Sequence, residues 1–167
     1  DYQVLQALHR FPLEGRQVDL QFSYSQPYVN VVKEKIEPRQ SSQSILQLGY
    51  QFPCQYGDKD YFALIVFNAM FGEFAHSALF TTLREKEGLA YSISSQFDIF
   101  TGLLEVYAGI EKSNRNQAMR GISRELNYIK LGRFSSSLLN QTKKIIRMNA
   151  LLSEDHALTL VEQRFNK

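Results

Sequence analysis

The tightest constraint in the sequence is a change of period at Gly88. Before it, apolar residues recur at helical spacing; after it, they alternate. Leu89, Tyr91, Ile93, Phe97 and Ile99 fall on one side of the run, and Ser92, Ser94, Gln96 and Asp98 on the other. Beyond Phe100-Thr101-Gly102 the alternation resumes with Leu104, Val106, Ala108 and Ile110. Two alternating runs around a Gly-containing turn predict an antiparallel hairpin with one wet face. A sheet wet on one side has to be covered on the other, so the flanking helices are expected in a single layer.

The other segments fit that frame. Residues 2–10 read as a short helix, and residues 11–27, with Pro12, Gly15 and Pro27, as a connector. The valine-rich stretch 28–36 favours a strand. In SILQLGYQF, Leu46, Leu48, Tyr50 and Phe52 alternate with Gln47, Gly49 and Gln51, which predicts a half-buried strand. Asp58 is placed to cap a helix carrying Tyr61, Leu64, Ile65 and Phe67, and Gly72 to stop it. A second helix spans 75–87, with Ala75, Leu79 and Leu83 on one stripe and Gly88 at its C-terminal stop. Three helices close the chain: 115–131 capped by Asn114 and followed by Gly132, 136–152 capped by Ser135, and 154–165 capped by Ser153. The inward residues expected are Ala118, Ile122, Leu126 and Ile129, then Leu138, Ile145 and Ile146, then Ala157, Leu160 and Val161. From residue 28 to 167 the order is β-β-α-α-β-β-α-α-α, an α+β two-layer domain.

Several function classes fall away. A formal charge of +2 with intermixed signs is too weak a field for nucleic acid. No run of 18 apolar residues exists to span a membrane. Cys54 stands alone, so neither an internal disulfide nor a Cys-x-x-Cys zinc pair can form; the expectation is a reducing, cytoplasmic setting and an inert thiol. His9, His76 and His156 have no partner at metal-site spacing: neither His-Glu-x-x-His nor His-x-x-Glu-His occurs. His76 and His156 read as surface or capping residues. There is no phosphate-binding glycine loop and no Gly-x-Ser-x-Gly elbow. Opening on Asp1 and breaking off mid-pattern at Lys167, the sequence is expected to be a piece of a longer protein.

The richest segment is residues 67–97, FNAMFGEFAHSALFTTLREKEGLAYSISSQF. Ser77-Ala78-Leu79-Phe80 followed by Leu83 through Ser92 resembles the metal-free domain of the pitrilysin, insulinase and mitochondrial processing peptidase family. Weaker matches are Gln43 to Tyr50, Tyr107 to Gly109, and Glu125-Leu126 followed by Gly132, and the order of elements agrees over residues 41–165. One departure is visible: the family loop carries several glycines, whereas here Gly72 is followed by Glu73 and Phe74.

The resemblance implies a ferredoxin-like α+β fold and a half-domain that closes around peptide against a zinc-bearing half. It implies no metal on this chain, zinc in the partner domain or subunit, and a substrate of peptide or unfolded protein. It also implies a role for an Arg and a Tyr seven residues apart, matched by Arg84 and Tyr91, as donors reaching into the partner's active site. Both have structural alternatives. Arg84 sits where a cation offsets a helix C-terminus, and Tyr91 alternates onto the apolar face with Ile93 and Phe97. Glu85, Lys86 and Glu87 read as a solvated turn; Ser92 and Ser94 lie on the polar face, where an added peptide strand would pass. Two other readings stay open: a scaffold of the same fold without proteolysis, and a small-ligand binding module.

Overall fold

The computed structural model describes residues 2–10, 31–52, 54, 57–99 and 101–154. Its centre is a three-stranded antiparallel sheet of β1 (Ser44–Gln51), β2 (Ala90–Asp98) and β3 (Leu103–Ile110), in the order β1-β3-β2. The expected hairpin is therefore β2–β3, and β1 adds to its far side in the register Leu46↔Ala108, Leu48↔Val106 and Tyr50↔Leu104. The alternation sets which face is dry. Leu46 from β1, Leu104, Val106, Ala108 and Ile110 from β3, and Ala90 and Ile93 from β2 are all buried. Ile45, Gln47, Gln51, Ser92, Ser94, Gln96 and Tyr107 are exposed on the other face.

Helices cover only the dry face. α1 (Tyr2–His9) is exposed in its described side chains. α2 (Tyr61–Asn68), α3 (Arg115–Lys130) and α4 (Ser136–Glu154) form the layer together with two π-helical stretches, Ala69–Glu73 and Phe80–Lys86. The core joins Phe71 and Leu83 from these stretches, and Leu79 just before the second, to Ala118, Ile122, Leu126 and Ile129 of α3 and to the sheet. At roughly 1.5–3 kcal/mol per fully buried large apolar side chain, this one cluster carries most of the fold's hydrophobic stabilisation. Among the described residues, no helix is long and apolar enough to cross a membrane.

Several terminators behave as their sequences require. Gly132 adopts φ +70°, its N–H donates to the Ile129 carbonyl, and the Arg133 N–H donates to the Tyr128 carbonyl, so α3 ends in a Schellman motif. The Ser135 hydroxyl accepts the Leu138 N–H at 3.1 Å and caps α4.

Several expectations need correction. Gly72 does not stop its helical run, which continues as the π-helical stretch Ala69–Glu73, and the second helical run opens after Ala75, which is exposed. Residues 31–40 form no strand and are exposed throughout, with Val32 at 95%. Strand propensity acts through packing against neighbours, and Val31 and Val32 have no sheet face to pack on. The ion pairs Lys35–Glu37 and Arg39–Glu37, and the contact of Arg115 with Glu34, keep this segment in solvent. The cap position of α2 is Asp60, without a side-chain capping bond, rather than Asp58. Asn114 occupies the cap position of α3, but its side chain makes no capping bond, because a 3-10 turn (Lys112–Asn114) leads into the helix. Ser153 lies within α4, which continues to Glu154, so no break precedes it. The connector 11–27, residues 28–30 of the expected strand, and the closing helix from residue 155 lie outside the described residues.

Candidate functional site

The elbow from Phe80 to Ser92 is built by two departures from regular geometry. The first is the π-helical stretch Phe80–Lys86, where each amide reaches one residue further than in an α-helix. Its wide pattern persists to the end: the Glu87 N–H donates to the Thr82 carbonyl at 2.9 Å and the Leu89 N–H to the Leu83 carbonyl at 2.8 Å. Gly88, at φ +62°, makes the reversal between them. The second departure is a bulge in β2. Ala90 pairs with Ile110 and Ser92 with the adjacent Gly109, leaving Tyr91 as the extra residue. A bulge re-aims side chains and often stands beside functional sites.

That bulge decides the fate of Tyr91. Strict alternation puts it on the apolar face, but the extra residue turns it outward, 56% exposed. Ser95, by contrast, is buried on the core side with Ile93. Its hydroxyl donates to Asn68 Oδ1 at 2.8 Å, and Asn68 Nδ2 donates to Glu73 Oε2 at 3.0 Å. This chain of bonds ties the π-helical turn at Ala69–Glu73 to β2. Gly72 sits buried in that contact. A Cβ there would lie 2.6 Å from Ser95 Oγ, so the close approach to Ser95 calls for glycine.

Arg84 lies in the last turn of its segment, exposed, with its guanidinium carbon 4.5 Å from the centroid of the Phe80 ring. Such a cation–π contact at the surface is worth about 0.5–1 kcal/mol and fixes direction more than stability. Among the described residues Arg84 pairs with no carboxylate, and no hydrogen bond joins it to Tyr91. The fold thus brings both residues to the surface on the two arms of one elbow, as free donors on ordered backbone.

Glu85 and Lys86 are exposed, as a solvated turn requires, but Glu87 is not merely solvated. Glu87 accepts from Arg124 Nη2 at 2.6 Å, and Arg124 Nε donates to Glu125 Oε1 at 3.0 Å. Glu125, then Glu87, hold the Arg124 guanidinium more firmly protonated than an ordinary arginine. Three residues earlier on α3, Gly121 allows close contact: a Cβ there would lie 3.2 Å from Leu83 Cδ2. Glu87, Leu89, Gln117, Arg120, Gly121 and Arg124 line an open cleft of about 580 Å³ between the elbow and α3. Arg124 and Glu125 escape a reading of sequence alone because Glu87 is 37 residues from Arg124.

The remaining candidates are structural. His76 stacks on Phe74 and shares a 2.9 Å hydrogen bond with Thr142 Oγ1, joining the turn before the elbow to α4; burial pushes its pKa down. Cys54 is buried, and burial, followed by the charges of Asp58 and Asp60, pushes its thiol up, away from a nucleophilic thiolate. Among the described residues no three His, Cys, Asp or Glu side chains converge as a metal site needs, so they do not fit a zinc ion. His156 lies outside the described residues.

Comparison with known proteins finds relatives of this fold. The family model for the peptidase M16 inactive domain matches residues 10–146. The probable inactive metalloprotease YmfF of Bacillus subtilis is 43% identical over 130 residues, 78% of this chain and 30% of that protein. The uncharacterized zinc protease YmxG of the same organism is 29% identical over 117 residues, 69% of this chain and 28% of that protein. The crystal structure of a conserved protein from Enterococcus faecalis V583 superposes with a TM-score of 0.85 at 39% identity, over 99% of this chain and 39% of that one. The chain thus spans about a third of the length of the relatives it matches.

Proposed function

The chain belongs to the family of the peptidase M16 inactive domain, and from that premise we propose that it is the metal-free half of a zinc-peptidase chamber, presenting Arg84 and Tyr91 to a zinc-bearing half. The observation that carries this reading is the bulge at Ala90–Ser92. It turns Tyr91 out of the core, on the arm that follows an exposed Arg84 that pairs with no carboxylate among the described residues. A stabilising role alone would have left the tyrosine with Ile93 on the dry face.

The chemistry follows from the donors. Zinc in the other half supplies the activated water for attack on a peptide carbonyl. This chain's share is to donate hydrogen bonds from the guanidinium and the phenol to the oxyanion that develops, where preorganised donors lower the barrier most. Both stand on arms whose backbone hydrogen bonds are formed in advance, as a productive site requires. The uncovered sheet face, with Ser92, Ser94, Gln96 and Tyr107, supports a chamber wall along which an extended peptide lies. The substrate class is peptide or unfolded protein.

A second reading has its own support. The 43% identical relative is named a probable inactive metalloprotease, which favours a non-proteolytic assembly role for the same fold. Cleavage of an unfolded peptide by the chain assembled with a zinc-bearing half separates the two. On the proposed reading, Arg84→Ala and Tyr91→Phe each lower kcat/KM about 10²–10³-fold, the usual effect of losing one oxyanion donor. Absence of cleavage with every zinc-bearing half tried favours the assembly role, whereas full activity in both variants removes the donor role from Arg84 and Tyr91.

A further inference from the structure

The feature that the proposed function leaves unused is the ionic contact between α3 and the elbow. Arg124 spans two carboxylates with two different nitrogens, Nη2 to Glu87 at 2.6 Å and Nε to Glu125 at 3.0 Å. Glu125 is buried on α3, so the arginine is anchored on the core side and reaches outward to the elbow. Glu87 is the residue whose N–H closes the π-helical stretch on Thr82, two positions before the Leu89 N–H that closes it on Leu83. The contact therefore grips the elbow midway between Arg84 and Tyr91. Gly121 and Leu83 make the second point of attachment, and two points fix a direction where one leaves a hinge.

Resting on the reading of Arg84 and Tyr91 as donors to a partner's site, we infer that Arg124 is a positioning residue that holds the elbow in its working geometry through Glu87. The Glu87 and Arg124 side chains remain 32% and 40% exposed. Ion pairs of that exposure contribute little to global stability and are weakened by salt. Their effect is local: they shift how often the elbow opens, not whether the domain folds. Arg84, directed by the Phe80 ring of the same stretch, depends on this backbone for its aim.

The test uses Arg124→Ala, Arg124→Lys and Glu87→Gln in the full chain. Melting temperature is expected to move by less than about 2 °C in Glu87→Gln and to fall further in Arg124→Ala, which leaves the buried Glu125 carboxylate without its cation. Hydrogen exchange at the Glu87 and Leu89 amides is expected to speed up about tenfold in Arg124→Ala and Glu87→Gln. Arg124→Lys, which keeps the charge but not the two-pronged fork, is expected to recover only part of the protection. In the assembled peptidase, Arg124→Ala is expected to lower kcat about tenfold at unchanged KM, the signature of a lost transition-state interaction. Unchanged exchange at the two amides overturns the inference. So does faster exchange with unchanged kcat in an enzyme that Arg84→Ala inactivates, and there the reading of Arg84 survives. Full activity in Arg84→Ala removes the reading itself, and Arg124's positioning role with it.

Discussion

Replacing Gly72 by alanine tests the packing that sets the elbow's origin. A Cβ at this position would lie 2.6 Å from Ser95 Oγ and 2.8 Å from both Ser95 Cβ and Ser95 N. All three distances are shorter than van der Waals contact allows. The serine cannot swing away freely, because its hydroxyl is bonded to Asn68 Oδ1 and its backbone belongs to β2. Relief therefore requires the π-helical turn to lift from the strand. Overpacking of this kind costs about 1–3 kcal/mol, and a blocking backbone atom points to the upper part of that range, roughly 2–3 kcal/mol. For a chain of this size that lowers Tm by about 4–12 °C. Ser95→Gly alone removes one hydrogen bond and costs about 1 kcal/mol. In the double variant two of the three blocking atoms are gone, so the two costs combine to less than their sum, by about 1 kcal/mol or more. Denaturant titration of the four proteins measures both quantities. A Gly72→Ala loss below about 0.5 kcal/mol, or strict additivity with Ser95→Gly, refutes the argument.

Two further outcomes follow from a partly buried and a fully buried polar group. Burial lowers the pKa of His76, so below about pH 6.5 the unfolded chain binds the more protons. The neutral ring's contribution is therefore present above that pH and lost as pH falls through the lowered folded-state value. Melting temperature between pH 7 and 5 is expected to drop more steeply in the wild type than in His76→Gln; equal slopes contradict this. Ser77 Oγ is fully buried with no hydrogen-bond partner among the described residues. An orphaned hydroxyl carries an uncompensated desolvation cost, so Ser77→Ala is expected to leave stability unchanged or raise it by about 1 kcal/mol. A loss above about 1 kcal/mol in urea unfolding would reveal a bond that this structure does not contain.

What could be read from the sequence was whatever local chemistry decides. Gly88 and Gly132 supply the left-handed stops, Ser135 supplies a cap, and alternation in 44–51 and 103–110 separates the wet from the dry face. The helix stripes of α3 point inward as their spacing requires. What escaped depends on partners distant in sequence. A single extra residue at Ala90–Ser92 moves Tyr91 from the apolar face to the surface, and no periodicity records it until β3 is in register. The π-helical stretches use the same residues an α-helix would; their wider hydrogen bonds arise from packing against β2 and α3. Val31 and Val32 have strand propensity but pair with no strand among the described residues. For the candidate site, the pair Arg84 and Tyr91 was legible only through resemblance to a family. The Glu87–Arg124–Glu125 contact was not legible at all.

The central claim is that a metal-free elbow lends two donors to another half's chemistry. It is tested most directly by the structure of the chain bound to a zinc-bearing half with a tetrahedral transition-state mimic. The account expects the Arg84 guanidinium and the Tyr91 phenol at about 2.7–3.1 Å from the oxygen that mimics the oxyanion. An assembly in which both side chains face bulk solvent on the outer surface, with the mimic held by the partner half alone, would contradict it.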